Sequence, residues 1–142
     1  RKCVHCLIML SAGQEAWSKV QHRLKRTGMV WNTALRKPQV NELALGMTKS
    51  FALELGSDNI NVNLVAPGMV DGPRFREKVV PQVAEQHGIS LDEAAAIHAA
   101  DYALGRVSSD EDVAAATLFL ASERARQITG VDLPVDGGWA AL

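Results

Sequence analysis

From Val40 onward the apolar and polar positions fall into regular patterns, and each pattern predicts an element. Leu43, Met47, Phe51 and Leu55 recur every fourth residue with Ala44 alongside, which predicts an amphipathic helix of about four turns. Gly56 follows as its stop. From Ile60 to Ala66, apolar residues alternate with Asn61 and Asn63, then run together until Pro67-Gly68, a strand entering a turn. Arg74 to His87 is helical in pattern, but Pro81 must kink or divide it, because proline has no N–H and its ring meets the preceding turn. Gly88 breaks the chain. Ser90 with Glu93 three residues on is a capping box opening an alanine-rich helix to about Ala103. Ser109 caps another helix, to Ala121, with Asp110, Glu111 and Asp112 at the positive end of its dipole. That helix is expected to bury Val113, Ala116 and Leu120, with Phe119 at the margin. Ile128 to Val135 reads as a last short strand, and D-G-G-W follows.

The order is helix, strand, helical excursion, helix, strand. A strand–helix–strand crossover of this length favours parallel pairing in an α/β layer fold. Two strands do not make a stable sheet in water, so further strands must come from elsewhere.

The length, 142 residues, is that of one domain able to bury a core. With 47% apolar and 22% charged residues the composition is that of an ordinary soluble protein, and no apolar run approaches the roughly 20 residues of a membrane span. The run C-V-H-C-L-I-M-L is shorter still, and its small-residue cleavage pattern is poor for a signal peptide. Two cysteines, Cys3 and Cys6, exclude a disulfide scaffold, and with only His5 and His22 nearby they make a weak zinc signature. A cytoplasmic location is the expectation. The net charge of −1 is unevenly spread: residues 1–37 hold eight Lys/Arg against Glu15 alone, and the remaining residues hold seven against fifteen acids. Such a basic arm can bind nucleic acid, but its charges are scattered among Trp, Gly and apolar residues with no recognisable motif. Neither nucleic acid nor a membrane is the expected partner.

Three blocks then make the chain specific. T-K-S-F-A-L-E-L-G-S-D-N-I-N-V-N-L-V-A-P-G-M-V, G-R-V-S-S-D-E-D-V-A-A-A-T-L-F-L-A-S and I-T-G-V-D-L-P-V-D-G-G-W resemble, in order and spacing, the C-terminal half of the short-chain dehydrogenase/reductase family. The resemblance covers about Val40–Leu142, leaving 1–39 as an unmatched basic segment. It implies an α/β fold, the C-terminal part of a Rossmann-like doubly wound parallel sheet, with a helical substrate lid over about 74–104. It also implies hydride transfer between NAD or NADP and a secondary alcohol or carbonyl, and a homo-oligomer formed through helix 40–55 and the C-terminal strand. By this resemblance Pro67, Gly68, Met69, Val70 and Gly72 face the nicotinamide end of the cofactor. Pro67 and Gly68 let the backbone approach, and the main chain at Val70 hydrogen-bonds the carboxamide. Ligands beyond the carboxyl ends of parallel strands are the general rule for such sheets. The family usually has Thr where this chain has Gly72, and Asp71 beside it would repel pyrophosphate, so a weaker grip is expected. Within the lid, Phe75, Val79, Val80, Ile97 and Tyr102 are candidates either for lining a pocket or for packing the lid helices together. The cations of Arg74 to Lys78 either meet an anionic substrate or form a solvated helix face, and His98 reads as a surface or packing histidine.

The family's chemistry also needs a T-G-x-x-x-G-x-G turn whose backbone N–H groups meet the pyrophosphate, a Tyr acid/base with a nearby Lys, and a Ser on the reacting oxygen. No G-x-G occurs in this sequence, and the sole tyrosine is Tyr102 in the lid. Spacing from the matched helix puts the family's Tyr and Lys at Lys37 and Asn41, which cannot serve. Ser11, in L-I-M-L-S-A-G, resembles the family's serine strand but lies too far from the helix. Catalytic residues: none is assigned. Read out of frame, the codons of W-N-T-A-L-R-K-P-Q permit Glu-Tyr-x-x-x-Lys, so a one-base slip near Gln39 is one origin for residues 1–39. A divergent N-terminus or a splice product are the others. The expectation is a truncated, inactive oxidoreductase; the alternative is a non-catalytic module that joins the oligomer of an intact homologue.

Overall fold

The computed structural model describes residues 4–10, 30–33 and 38–141, with side chains from residue 42 onward. Its centre is a four-stranded parallel sheet of order β2-β1-β3-β4, formed by β1 (Val4–Leu10), β2 (Val30–Thr33), β3 (Ile60–Pro67) and β4 (Asp132–Val135). The further strands that two alone required are thus supplied by residues 4–10 and 30–33. β1 lies beside β3 with Val4 opposite Ile60, and β4 lies on β3's other side with Leu64 opposite Asp132. The parallel pairing expected of β3 and β4 is borne out, as is the fold class.

Helices cover both faces. α1 (Pro38–Leu55) packs on one face of β3, where Ala44 and Leu64 form a buried cluster with Leu45 and Ala66 against it. α4 (Asp110–Leu120) packs on the other, where Val65, Val113, Leu120, Ala121 and Ala125 are buried together. Between β3 and α4 the helical excursion, which the family resemblance reads as a lid, rises as a π-helical turn (Phe75–Val79), α2 (Val80–His87) and α3 (Leu91–Ala100). Its own core is Phe75, Val80, Ala84 and Ala94.

The packing decides which side of each helix is covered. The stripe Leu43, Met47 and Phe51 does not face the sheet; these side chains are 61%, 43% and 38% exposed. The small residues Ala44, Thr48 and Ala52 are buried instead, and the Thr48 hydroxyl donates to the Ala44 carbonyl at 2.8 Å. Small side chains let helix and sheet approach closely, which a Met or Phe at the contact would prevent. Phe119 is likewise exposed, while Val113 and Leu120 are buried as expected. Gly56 stops α1 as expected, and a single 3-10 turn of Gly56–Asp58 leads to the left-handed Asn59 (φ 61°), where the chain reverses.

The local signals around Pro81, Ser90 and Ser109 agree with the structure. Pro81 stands in the first turn of α2, directly after the π-helical turn. The wider turn, in which the Val80 N–H donates to the Phe75 carbonyl, accommodates a ring that a regular α-helix would not. Ser90 and Glu93 form a full capping box: the Glu93 N–H donates to Ser90 Oγ at 3.2 Å and the Ser90 N–H to Glu93 Oε2 at 2.9 Å. Ser109 and Asp112 repeat it on α4. There the Ser109 N–H, then its hydroxyl, and then Arg106 hold the Asp112 carboxyl below its usual range. No helix among the described residues is long and apolar enough to cross a membrane.

Candidate functional site at the end of β3

The strand's polar residues fix where its end points. Asn61 and Asn63, the polar residues that alternate with the strand's apolar ones, are both buried. The Asn61 amide donates to the Ala125 carbonyl at 3.1 Å. Asn63 bonds twice: its amide donates to the Ile128 carbonyl at 2.9 Å, and its carbonyl accepts from the Val131 N–H at 3.2 Å. Backbone bonds continue the seam, from Gly130 N–H to the Val62 carbonyl and from Leu64 N–H to the Val131 carbonyl. Segment 128–131 is therefore zipped to β3 before β4 begins.

Beyond the carboxyl end of β3 the chain turns through Pro67 to Gly72, held from three sides. The Gly68 N–H donates to the Val135 carbonyl at 3.1 Å. The Met69 N–H donates to the Tyr102 hydroxyl at 2.9 Å. Val70 pairs with Ser108 in a parallel bridge, in which Ser108 N–H donates to the Met69 carbonyl at 3.1 Å and Asp71 N–H to the Ser108 carbonyl at 2.8 Å. In a bridge of this kind the peptide groups of Val70 itself point the opposite way. Among the described residues the Val70 N–H and C=O have no hydrogen-bond partner. A matched donor and acceptor thus stand side by side, at the edge where parallel sheets receive ligands.

The glycines of this turn differ. A Cβ on Gly68 would stand 3.0 Å from both Cα and Cβ of Asp136 and 3.1 Å from the Tyr102 ring. The close approach it permits is to the protein's own C-terminal turn. A Cβ on Gly72 would meet nothing within 4 Å, so the place of the family's Thr is open space. Asp71 is neutralised by a two-point ion pair in which Arg76 Nε and Nη2 lie 2.6 and 2.5 Å from its carboxylate oxygens. The carboxylate in turn pushes the pKa of Arg76 up, first by the hydrogen bonds and then by its charge. Sequence reading anticipated Asp71 as a repelling anion and missed its partner, although five residues along the first lid turn bring the two side chains together.

The lid adds a cleft of about 500 Å³ lined by Phe75, Val80, Leu91 and Ala95 with Arg76 and Arg106 at its rim. Phe75 and Val80 thus line a cleft while also packing the lid core. Val79, Ile97 and Tyr102 are not among its lining residues. His98 stacks edge-on against Phe75 with centroids 5.6 Å apart, and its buried Nε2 has no partner among the described residues. Arg106 pairs with Asp112 at 3.3 Å. Ser11, Lys37 and Cys3 lie outside the described residues, Cys6 falls on β1, and Asn41 is in the first turn of α1.

Comparison with known proteins agrees with this architecture. The family described as enoyl-(acyl carrier protein) reductase matches residues 42–140. A 3alpha-hydroxysteroid dehydrogenase of Mediterraneibacter gnavus is 46% identical over 92 residues, 65% of this chain and 32% of its own. The crystal structure of a short chain dehydrogenase family protein from Francisella tularensis superposes with a TM-score of 0.71 at 26% identity, over 96% of this chain and 71% of that one. A structure from Agrobacterium tumefaciens with bound NADP gives 0.62 at 29% identity, over 91% of this chain and 53% of that one. This chain spans about a third of the length of the curated relatives it matches. With the sheet order, the loop and these matches in agreement, the chain belongs to the short-chain dehydrogenase/reductase family.

Proposed function

We propose that the turn Pro67 to Gly72 is the nicotinamide-facing rim of an NAD(P) site in an oxidoreductase acting on a secondary alcohol or carbonyl. The observation that carries this is the peptide pair of Val70, a donor and an acceptor at one edge with no partner among the described residues. A carboxamide offers the complementary acceptor and donor, so both groups of Val70 can be satisfied by one planar partner. When bound, the nicotinamide ring supplies or accepts the hydride. Pro67, Gly68 and Met69 hold the edge in place through Val135, Asp136 and Tyr102. Ion pairing with Arg76 removes the repulsion expected of Asp71, whereas the open space at Gly72 leaves the missing hydroxyl unreplaced.

The rim is one part of what hydride transfer needs. The pyrophosphate turn and a Tyr–Lys acid/base pair are not among the residues of this sequence. The polypeptide of this sequence is therefore proposed to be catalytically inactive alone. Calorimetric titration with NADH and NADPH is expected to show no binding in the micromolar range, and a ketone assay no turnover. Micromolar affinity or turnover would overturn the inactivity and place the catalytic groups among residues not assigned here.

A second reading rests on the exposed stripe of α1. Leu43, Met47 and Phe51, with β4 at the edge of the described sheet and Trp139 exposed nearby, form surfaces suited to another copy of the same fold. On this reading the chain associates with itself or with an intact homologue. Sedimentation of the wild type is expected to give an oligomer, and Met47→Glu with Phe51→Glu a smaller species. A wild type already monomeric refutes it.

A further inference from the structure

Among the described residues Tyr102 is the lid residue whose side chain bonds the backbone of the turn after β3, and nothing in the sequence pattern marked it for that task. Its hydroxyl accepts the Met69 N–H at 2.9 Å. Its ring closes on two glycines at once: Cε1 lies 3.1 Å from where a Gly68 Cβ would stand, and Cδ1 lies 3.4 Å from the Gly137 Cβ position. The residues beside it are fastened to the same C-terminal turn. Leu104 N–H donates to the Gly137 carbonyl at 3.0 Å, and a Cβ on Gly138 would stand 2.8 Å from Ala103 Cβ. That turn is fixed by Asp136, whose carboxylate accepts the Gly138 and Ala140 N–H groups.

We infer that Tyr102 is a positioning residue that ties the lid to the Val70 edge and sets where its free peptide groups stand. Resting on the nicotinamide-rim reading above, the inference goes beyond it by naming the residue on which the rim depends. The physical reason is local. Ser108 holds the turn from one side by bonding the Met69 carbonyl and the Asp71 N–H. Tyr102 holds it through the Met69 N–H, the amide of the residue immediately before Val70. With both contacts made, the backbone on either side of Val70 is fixed while its own groups stay available. Without the hydroxyl, the Met69 amide must find water or rotate, and Val70 moves with it. Lid and rim thereby become one mechanical unit, so displacement of the end of the lid is felt at the rim.

Tyr102→Phe tests this, since it keeps the ring against Gly68 and removes only the acceptor. Amide hydrogen exchange and NMR shifts are to be read residue by residue on the whole chain, with reduced nicotinamide mononucleotide as the probe. Faster exchange at Met69 by about tenfold is expected in the variant, as for loss of one hydrogen bond of roughly 1.4 kcal/mol. Shift changes at Val70 and Asp71 with the probe are expected in the wild type, and a weakening of about tenfold in the variant. Unchanged exchange at Met69 overturns the contact itself. Faster exchange with undiminished probe binding overturns the positioning role. Faster exchange with no response at Val70 even in the wild type overturns the nicotinamide reading and the positioning role with it, while leaving the contact intact.

Discussion

Replacing Asn63 with Ala is expected to cost about 3–5 kcal/mol of stability, the larger of two effects that follow from the packing around β3. Asn63 is fully buried, and its amide holds both the Ile128 carbonyl and the Val131 N–H. Alanine leaves both backbone groups unpaired beneath α4 and opens a cavity. Each unsatisfied buried group costs about 1–3 kcal/mol, well above the gain from an ordinary hydrogen bond. Asn63→Asp separates the contributions, because it retains the acceptor for Val131 and loses the donor to Ile128. Urea unfolding should show a lower midpoint with an unchanged slope for both variants, and hydrogen exchange should rise at Val131 in the alanine variant first. A loss below about 1 kcal/mol for Asn63→Ala would mean that backbone pairing alone zips segment 128–131 to β3.

Gly68→Val is the second. A Cβ there stands 3.0 Å from backbone as well as side-chain carbon of Asp136, and neither can rotate away. Relief requires the Asp136 turn to shift, which strains its bonds to Gly138 and Ala140 and pushes on the Tyr102 ring. Overpacking of this kind costs about 1–3 kcal/mol. Gly72→Ala, four residues on in the same turn, is the control: its Cβ meets nothing within 4 Å, and its effect should stay within about 0.5 kcal/mol. Thermal unfolding of the pair checks the contrast. Equal melting temperatures would show that the turn at Asp136 yields more easily than its hydrogen bonds suggest.

These two positions also show what was legible beforehand. Gly68 stood out in the sequence as the end of a strand, and the resemblance gave it a ligand to approach. The structure gives it a different close neighbour, Asp136, from the far end of the chain. Asn61 and Asn63 interrupt the apolar run, and both are buried because their partners are backbone groups of a segment over sixty residues away. The apolar stripe on α1 is visible in the sequence as a stripe, and the structure shows that the sheet does not cover it. Periodicity reports that one side of a helix is apolar, not what will cover it. Residues 4–10 were too short a run for their period to distinguish a strand from a buried helix, so the strands β1 and β2 emerged only in the sheet.

What the sequence determined by itself is whatever depends on neighbours within a few residues. The capping boxes at Ser90 and Ser109 need only a side chain three positions on, and the π-helical turn answers Pro81 within one turn of helix. The end of β3 is marked by Pro67 and Gly68 alone, and the family by three blocks in register. The tertiary structure decided which polar side chains are clamps, which face of α1 stays bare, and that Tyr102 meets Met69. Those contacts join residues far apart in the chain, and their energy depends on the exclusion of water by elements that no local pattern describes.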